Sequence, residues 1–388
     1  MNLLTALLGC ELEPKKSGSL SGWPGYQRFY STVEEKIYMF KVFCRNLILC
    51  APLLVTGCGD VNAPTVPSPK IAVTAITPTS VSLVWGKAAD TRTATTALVY
   101  KVYLSGPNPT YQSFDTIGEV EAGTLVQTLT DASSVTISAG ITAGNAYYFN
   151  IVVLDEEGNK ALYDPVGEYF HTNQVSYYPF NGSTADITAT ANHLVLAVDL
   201  TLPGLALPTV TSDRFGYTFS AYNFVPTAPQ CLQSTATVGI TINSNRSVSF
   251  WVKSSNAPAG TTRAAFAWGD ESANGSSFGF FENGVGNNWT VWLAGTANVP
   301  TLEVVTSNWE HWVISSAGSS VYTYKNGVLV NNGVATTVNT VDSLLYVGCG
   351  MVASALGYPY QGNIDDVRIF NQLLTGTDVA NLYAATRP

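Results

Sequence analysis

The chain has 388 residues and a formal net charge of −9, with charged residues making up only 12% of it. Setting aside the first 57 residues, which hold six basic and four acidic side chains, leaves twelve basic against 23 acidic, a balance of −11. Such a surface repels phosphate backbones and anionic head groups, which argues against nucleic acid as a partner and leaves divalent cations compatible. The length allows two or three domains, and the abundance of Thr, Ser, Val, Gly and Tyr favours pleated strands and tight turns over helices.

Residues 1–38 show no export-like order and read as an upstream extension from a mis-assigned start, with translation expected from Met39. A short basic region with Lys41 and Arg45 precedes an apolar run from Leu47 to Val55, too short to span a bilayer as a helix. The ending Leu54-Val55-Thr56-Gly57-Cys58 resembles the bacterial lipobox, which implies a signal peptide over 39–57 and a diacylated Cys58 as the mature N-terminus. The implied location is the bacterial outer membrane or cell surface, held by a lipid anchor. Residues 58–69 contain three prolines and read as a stiff, extended tether.

From residue 70 to 172 the pattern is that of short strands. Val81, Leu83 and Trp85 alternate onto one face, as do Tyr100, Val102 and Leu104, and then Tyr147, Phe149, Ile151 and Val153 before the polar turn Asp155 to Asn159. Trp85, the Tyr100-Lys101-Val102 strand and the segment Ile141 to Ile151 resemble a fibronectin type III domain. That resemblance implies a β-sandwich used as a spacer or protein-contact module, with Tyr147 as a tyrosine corner. Ala143 stands where the family usually has Pro, and there is no Arg-Gly-Asp motif.

A different grammar runs from 173 to 388. It opens at Val175-Ser176-Tyr177-Tyr178-Pro179-Phe180 and continues through Ser212 to Gly216, Ser220 to Phe224, the strand Ser247 to Lys253, and Trp309 to Val313. Asn326-Gly327 between apolar runs signals a two-residue hairpin. Gly362-Asn363-Ile364-Asp365-Asp366-Val367-Arg368-Ile369-Phe370 follows, and Leu373 to Tyr383 reads as one short closing helix. These ordered pieces resemble the laminin-G-like, concanavalin A-like jelly-roll domain of surface proteins, although Val225-Pro226 stands where that family commonly has Gly. The fold expected is therefore all-β, an immunoglobulin-like sandwich followed by a jelly-roll sandwich.

Domains of that family often hold calcium at one rim. Strict alternation puts Asp365 on the face of Val367 and Ile369, where its carboxylate needs a partner: calcium, backbone N–H groups or an arginine. The loop from Asn181 to Asp186 resembles the family's acidic first loop, so Asp186 and Asn181 are the expected companion ligands, while Asp213 and Arg214 are expected to form an ion pair within a turn. Trp289, Trp292 and Phe278, in a segment rich in Gly, Asn and Ser, are candidates for stacking on sugar rings, with core packing the competing role. Cys231 and Cys349 both lie in strand-like segments of an exported domain, where an oxidising compartment would let them pair.

No catalytic arrangement emerges. Gly275-Ser276-Ser277-Phe278-Gly279 matches a nucleophile elbow only in letters, His171, His193 and His311 have no metal-ligand spacing, and the closely spaced carboxylates of jelly-roll glycosidases are absent. The expected function is a non-catalytic surface lipoprotein binding a glycan, glycoprotein or matrix protein through the jelly roll. The alternatives are a structural or protein–protein component of the envelope and a degenerate polysaccharide hydrolase or lyase.

Overall fold

A computed structural model of the chain describes residues 61–108, 114–198, 204–225, 230–255, 260–352 and 355–388. The upstream extension, the signal segment, Cys58 and Pro226 lie outside the described residues. Residues 60–388 form one compact unit, within which two β-sandwiches follow each other along the chain.

In the N-terminal sandwich a three-stranded sheet orders Ile71–Thr77, Ser80–Trp85 and Ser134–Ile137. It faces a sheet of Thr124–Thr130, Val99–Ser105, Asn145–Leu154 and Lys160–Leu162, with Val166–Phe170 also paired to Asn145–Leu154. The inward positions Val81, Leu83, Trp85, Tyr100, Val102, Phe149 and Ile151 build its core, as period-two alternation requires. The Tyr147 hydroxyl accepts the backbone N–H of Thr142 at 3.1 Å, closing the corner before its strand. Alternation fails as a guide to exposure in Asn145–Leu154, because its second face is also covered: Tyr148 and Val152 pack with Phe114 and Val120. Nor is residues 61–69 a free tether. Thr65 pairs with Ala89 through backbone bonds of 2.7 and 2.9 Å, and Pro69 accepts the N–H of Asp164 at 2.9 Å, so this stretch lies on the sandwich.

The C-terminal sandwich has a seven-stranded sheet, in the order Leu194–Leu196, Leu232–Thr237, Leu344–Val347, Arg263–Gly269, Ser277–Asn283, Asn288–Trp292 and Val299–Val304. Opposite it lies a sheet in the order Thr209–Thr211, Ala221–Phe224, Gly362–Phe370, Arg246–Ser254, Glu310–Ala317, Ser320–Lys325 and Val328–Ala335, with Gln174–Tyr178 also on Gly362–Phe370. Phe250, Phe266, Trp268, Phe280, Trp289 and Trp312 fill the space between. Asn326 and Gly327 both take positive φ, 49° and 80°, as a hairpin turn of this length needs. Cys231 and Cys349, with Cα atoms 5.3 Å apart, form a disulfide beside the paired residues Leu232 and Val347.

Only His171 to Asn173 separate the last strand of the first sandwich from the first strand of the second, and the closing helix Gly376–Thr386 packs against both. A capping box between Thr375 and Asp378 starts the helix. Its Val379, Leu382 and Ala385 pack with Ala146 and Tyr169 on one side and Val313 and Phe370 on the other. Tyr169 donates its hydroxyl to Asp378 at 2.7 Å. The approach is close enough that a Cβ on Gly167 would lie 2.0 Å from the Ala385 carbonyl oxygen, so only glycine fits there.

Between the sandwiches runs a seam of buried charge, and a β-bulge creates it. Along Gly362–Phe370 the pairing with Arg246–Ser254 shifts: Ser249 opposes Arg368, but Trp251 opposes Asp365. Asp366 takes φ +50°. Strict alternation is therefore wrong for Asp365; Ile364, Val367 and Ile369 all reach the core, whereas Asp365 shares the opposite face with its pairing partner Trp251 and with Arg368. There Arg214 bonds Asp365 at 2.7 Å and Asp366 at 2.5 Å, and its Nε donates to the Thr386 carbonyl at 2.5 Å. Arg368 reaches Glu168 of the first sandwich at 2.8 Å and lies over the Tyr177 ring, while Tyr177 donates to Asp366 at 2.6 Å. Burial and the Asp366 charge push Asp365 well above the ordinary carboxylate range; burial acts on Asp366 too, but Arg214 and Arg368 hold it below.

Removing one partner of a buried pair strands the other. Arg214→Met is expected to lower unfolding free energy by about 3–5 kcal/mol, read from urea midpoints, with Asp365→Asn recovering part of it in the same background. A loss within about 1 kcal/mol, the worth of an exposed pair, would contradict the seam's burial.

Candidate functional site

The seven-stranded sheet has an inner face that builds the core and an outer face that does not. Cross-strand partners share a face, so the register Gln233–Tyr346–Ala267–Gly279–Trp292 is one row across five outer-face strands. Neighbouring strands lie about 4.8 Å apart, which separates Tyr346 from Trp292 by roughly 14 Å over three spacings. Phe281 is on the same face, and Tyr358 is brought over it by the chain after the hairpin of Gly350–Val352 and Ala355–Gly357. Gly279 has no side chain because Phe281 lies against it; a Cβ there would meet the ring at 2.7 Å.

Trp292 is the half-buried member of this cluster. Its ring stacks on Phe281 with centroids 4.8 Å apart and planes 19° from parallel, and Tyr358 stands 5.7 Å away at 55°. The indole N–H donates to the Glu271 carboxylate at 2.8 Å. Glu271 sits in a braced loop: Gly269 turns the chain with φ 92°, where a Cβ would strike the Ser276 carbonyl oxygen at 2.3 Å. Asp270 accepts from the Ser272 N–H and hydroxyl at 3.1 and 2.7 Å, and the Ser276 hydroxyl returns to the Asp270 carbonyl at 2.8 Å. Burial pushes the Glu271 carboxyl up, and the indole hydrogen bond opposes it. For Asp270 the balance runs the other way, the serine bonds outweighing burial and holding it low.

Of the three aromatic candidates, this geometry retains one. Trp289 and Phe278 are fully buried on the inner face. Trp289 stacks on Phe280 at 4.9 Å with planes 8° apart and donates to Glu310, and Phe278 packs on Trp268. Neither can meet a ligand. Parity along the strands carried the distinction: Trp289 is in phase with the inward Val291, Trp292 is out of phase. Glu271 and Tyr358 had no local signal, because a loop and a distant segment deliver them. The Gly275 to Gly279 stretch joins two strands, not a strand and a helix, and so is no nucleophile elbow.

The expected calcium ligands do not converge. Asp365 is held by Arg214, the arginine alternative for its partner. Asp186 accepts four protein donors: the N–H groups of Tyr177, Thr188 and Asn192 at 2.9–3.0 Å and the Thr188 hydroxyl at 2.9 Å. Asn181 accepts from Lys70 at 2.6 Å. Nor does Asp213 pair with Arg214; its carboxylate closes the turn through the N–H groups of Phe215 and Tyr217 and meets Lys70 at 3.5 Å. Among the described residues no group of three His, Cys, Asp or Glu side chains could hold a metal ion. The residues present do not fit a calcium cage.

Residues 230–380 match the family described as the concanavalin A-like lectin/glucanases superfamily, and the C-terminal sandwich is accordingly a concanavalin A-like jelly-roll domain. Among solved structures, domain 4 of an extracellular arabinanase from Geobacillus stearothermophilus, in complex with arabinotriose, is similar at 20% identity and TM-score 0.44, over 54% of this chain and 98% of that one. The binding domain of botulinum neurotoxin serotype D is similar at 15% identity and TM-score 0.38, over 54% and 50%. The CBM40 of the Ruminococcus gnavus IT-sialidase, bound to alpha2,3 sialyllactose, is similar at 14% identity and TM-score 0.31, over 38% and 84%. No curated protein sequence matches the chain.

Because Asp365 and Asp186 are satisfied by protein donors, the melting temperature is expected to be the same in chelator and in calcium at about 1 mM, the range of extracellular calcium modules. A rise with calcium that Asp365→Asn removes would restore the cation.

Proposed function

We propose that the protein is a non-catalytic surface lipoprotein whose jelly roll holds a glycan against Trp292. The carrying observation is the half-buried indole on the outer sheet face, backed by Phe281 and Tyr358, with a carboxylate fixed beside it. A sugar ring needs both parts, a flat aromatic for its C–H face and acceptors for its hydroxyls. The lectin-containing family that matches this domain supports the same ligand class.

The first sandwich is proposed to be a fibronectin type III domain serving as a support. The three-plus-five strand arrangement and the Tyr147 corner favour that assignment, and the charge seam makes the support rigid rather than hinged. Export and acylation at Cys58 remain part of the proposal; mass spectrometry of membrane-extracted protein is expected to show an acylated Cys58, and an intact N-terminus carrying Leu3 would overturn it. A protein contact in the envelope is the second reading. Leu302, 94% exposed, favours it, together with exposed Val304 and Val328 on the last strands of the two sheets.

On a glycan array, Trp292→Ala is expected to weaken binding roughly tenfold or more, the effect of losing an aromatic anchor, with Trp292→Phe intermediate. If no glycan distinguishes Trp292→Ala from the parent protein, the Trp292 face is not the binding site.

A further inference from the structure

The seven-stranded sheet is almost without positive charge. Of all residues in its seven strands only Arg263 is basic, and it is buried on the inner face, 3.9 Å from Glu282 and 3% exposed. Between Arg263 and Arg368 the sequence holds a single Lys or Arg, Lys325, which belongs to the opposite sheet and is held at 3.0 Å both by Glu310 of that sheet and by Glu303 on the last strand of the seven-stranded one. Beside Trp292, by contrast, stands the Glu271 carboxylate, with Asp270 next to it in the chain. Among the described residues neither is paired with a lysine or arginine.

We propose that Glu271 makes the Trp292 face selective for uncharged or amino sugars and closes it to sugars bearing carboxylate or sulfate groups. The proposal rests on the glycan reading of that face and names its ligand class. One carboxylate oxygen of Glu271 accepts the indole N–H and sets the ring's orientation; the other can accept a sugar hydroxyl or an ammonium. An acidic sugar stacked on the same ring would bring a second negative charge against Glu271 in a partly desolvated place, with Asp270 next to it in the chain. Among the described residues, no lysine or arginine of the seven strands lies on this face to neutralise it. Like charges brought together without a counter-ion act as a repulsive selection element.

The experiment compares a neutral hexan with the polyuronide of the same ring and linkage, using the purified full chain and two variants. The parent is expected to bind the neutral polymer at least about tenfold tighter, and added salt should narrow that ratio by screening. Glu271→Gln keeps an oxygen for the indole N–H but removes the charge. It is expected to bring the ratio to within about threefold of unity, with neutral-polymer binding itself weakened because the amide NH2 cannot accept the sugar hydroxyl. A purely structural role for Glu271 would weaken both polymers alike. Equal or tighter binding of the polyuronide by the parent, or a ratio untouched by Glu271→Gln, overturns the selectivity even where Trp292→Ala abolishes binding. Binding insensitive to Trp292→Ala overturns the glycan reading of the face itself.

Discussion

One extra residue in one strand sets the arrangement of the whole compact unit. The bulge at Asp365–Asp366 keeps Ile364, Val367 and Ile369 in the jelly-roll core while turning two carboxylates and Arg368 to the other side. Carboxylates so deeply buried are tolerable only if paired, and Arg214, Arg368 and Tyr177 supply the pairing. Glu168 carries the chain of charges into the first sandwich. A hydrophobic seam would have joined the two sandwiches with less regard to register; fixed donor and acceptor positions specify one. The C-terminal helix is held in the same place, since Arg214 and Trp251 both bond Thr386.

Using one face of the second sheet for this seam divides the labour of the jelly roll. The sheet that carries the bulge is covered by the first sandwich and the closing helix. The other sheet keeps an outer face with a half-buried aromatic and neighbouring carboxylates. On the proposed function, support and recognition lie on opposite sides of one core, and the aromatic residues of that core, Phe280, Trp289 and Trp312 among them, connect the two sheets.

Much of the fold was legible in the sequence because strands write their burial with period two. Val81, Leu83 and Trp85 alternate as expected, and Asn326-Gly327 adopts the positive φ angles that its letters imply. Legibility ended where a second layer or an irregularity intervened. Asn145–Leu154 and Arg246–Ser254 are buried on both faces, which alternation cannot report. A bulge shifts parity by one, and nothing in Ile364-Asp365-Asp366-Val367 marks it, so Asp365 was placed among the wrong neighbours. Of the candidate site, Trp292 was legible as an aromatic in a polar segment. Glu271 and Tyr358 were not, because their proximity comes from a loop and from a segment more than sixty residues downstream.

The most direct measurement is a crystal structure of the protein with a bound neutral oligosaccharide. The expected result is a sugar ring packed face-on against the Trp292 indole, at about 4 Å between heavy atoms, with a hydroxyl donated to Glu271. An oligosaccharide seated elsewhere, at the seam between the sandwiches or along the Leu302 edge, with Trp292 untouched, would contradict it.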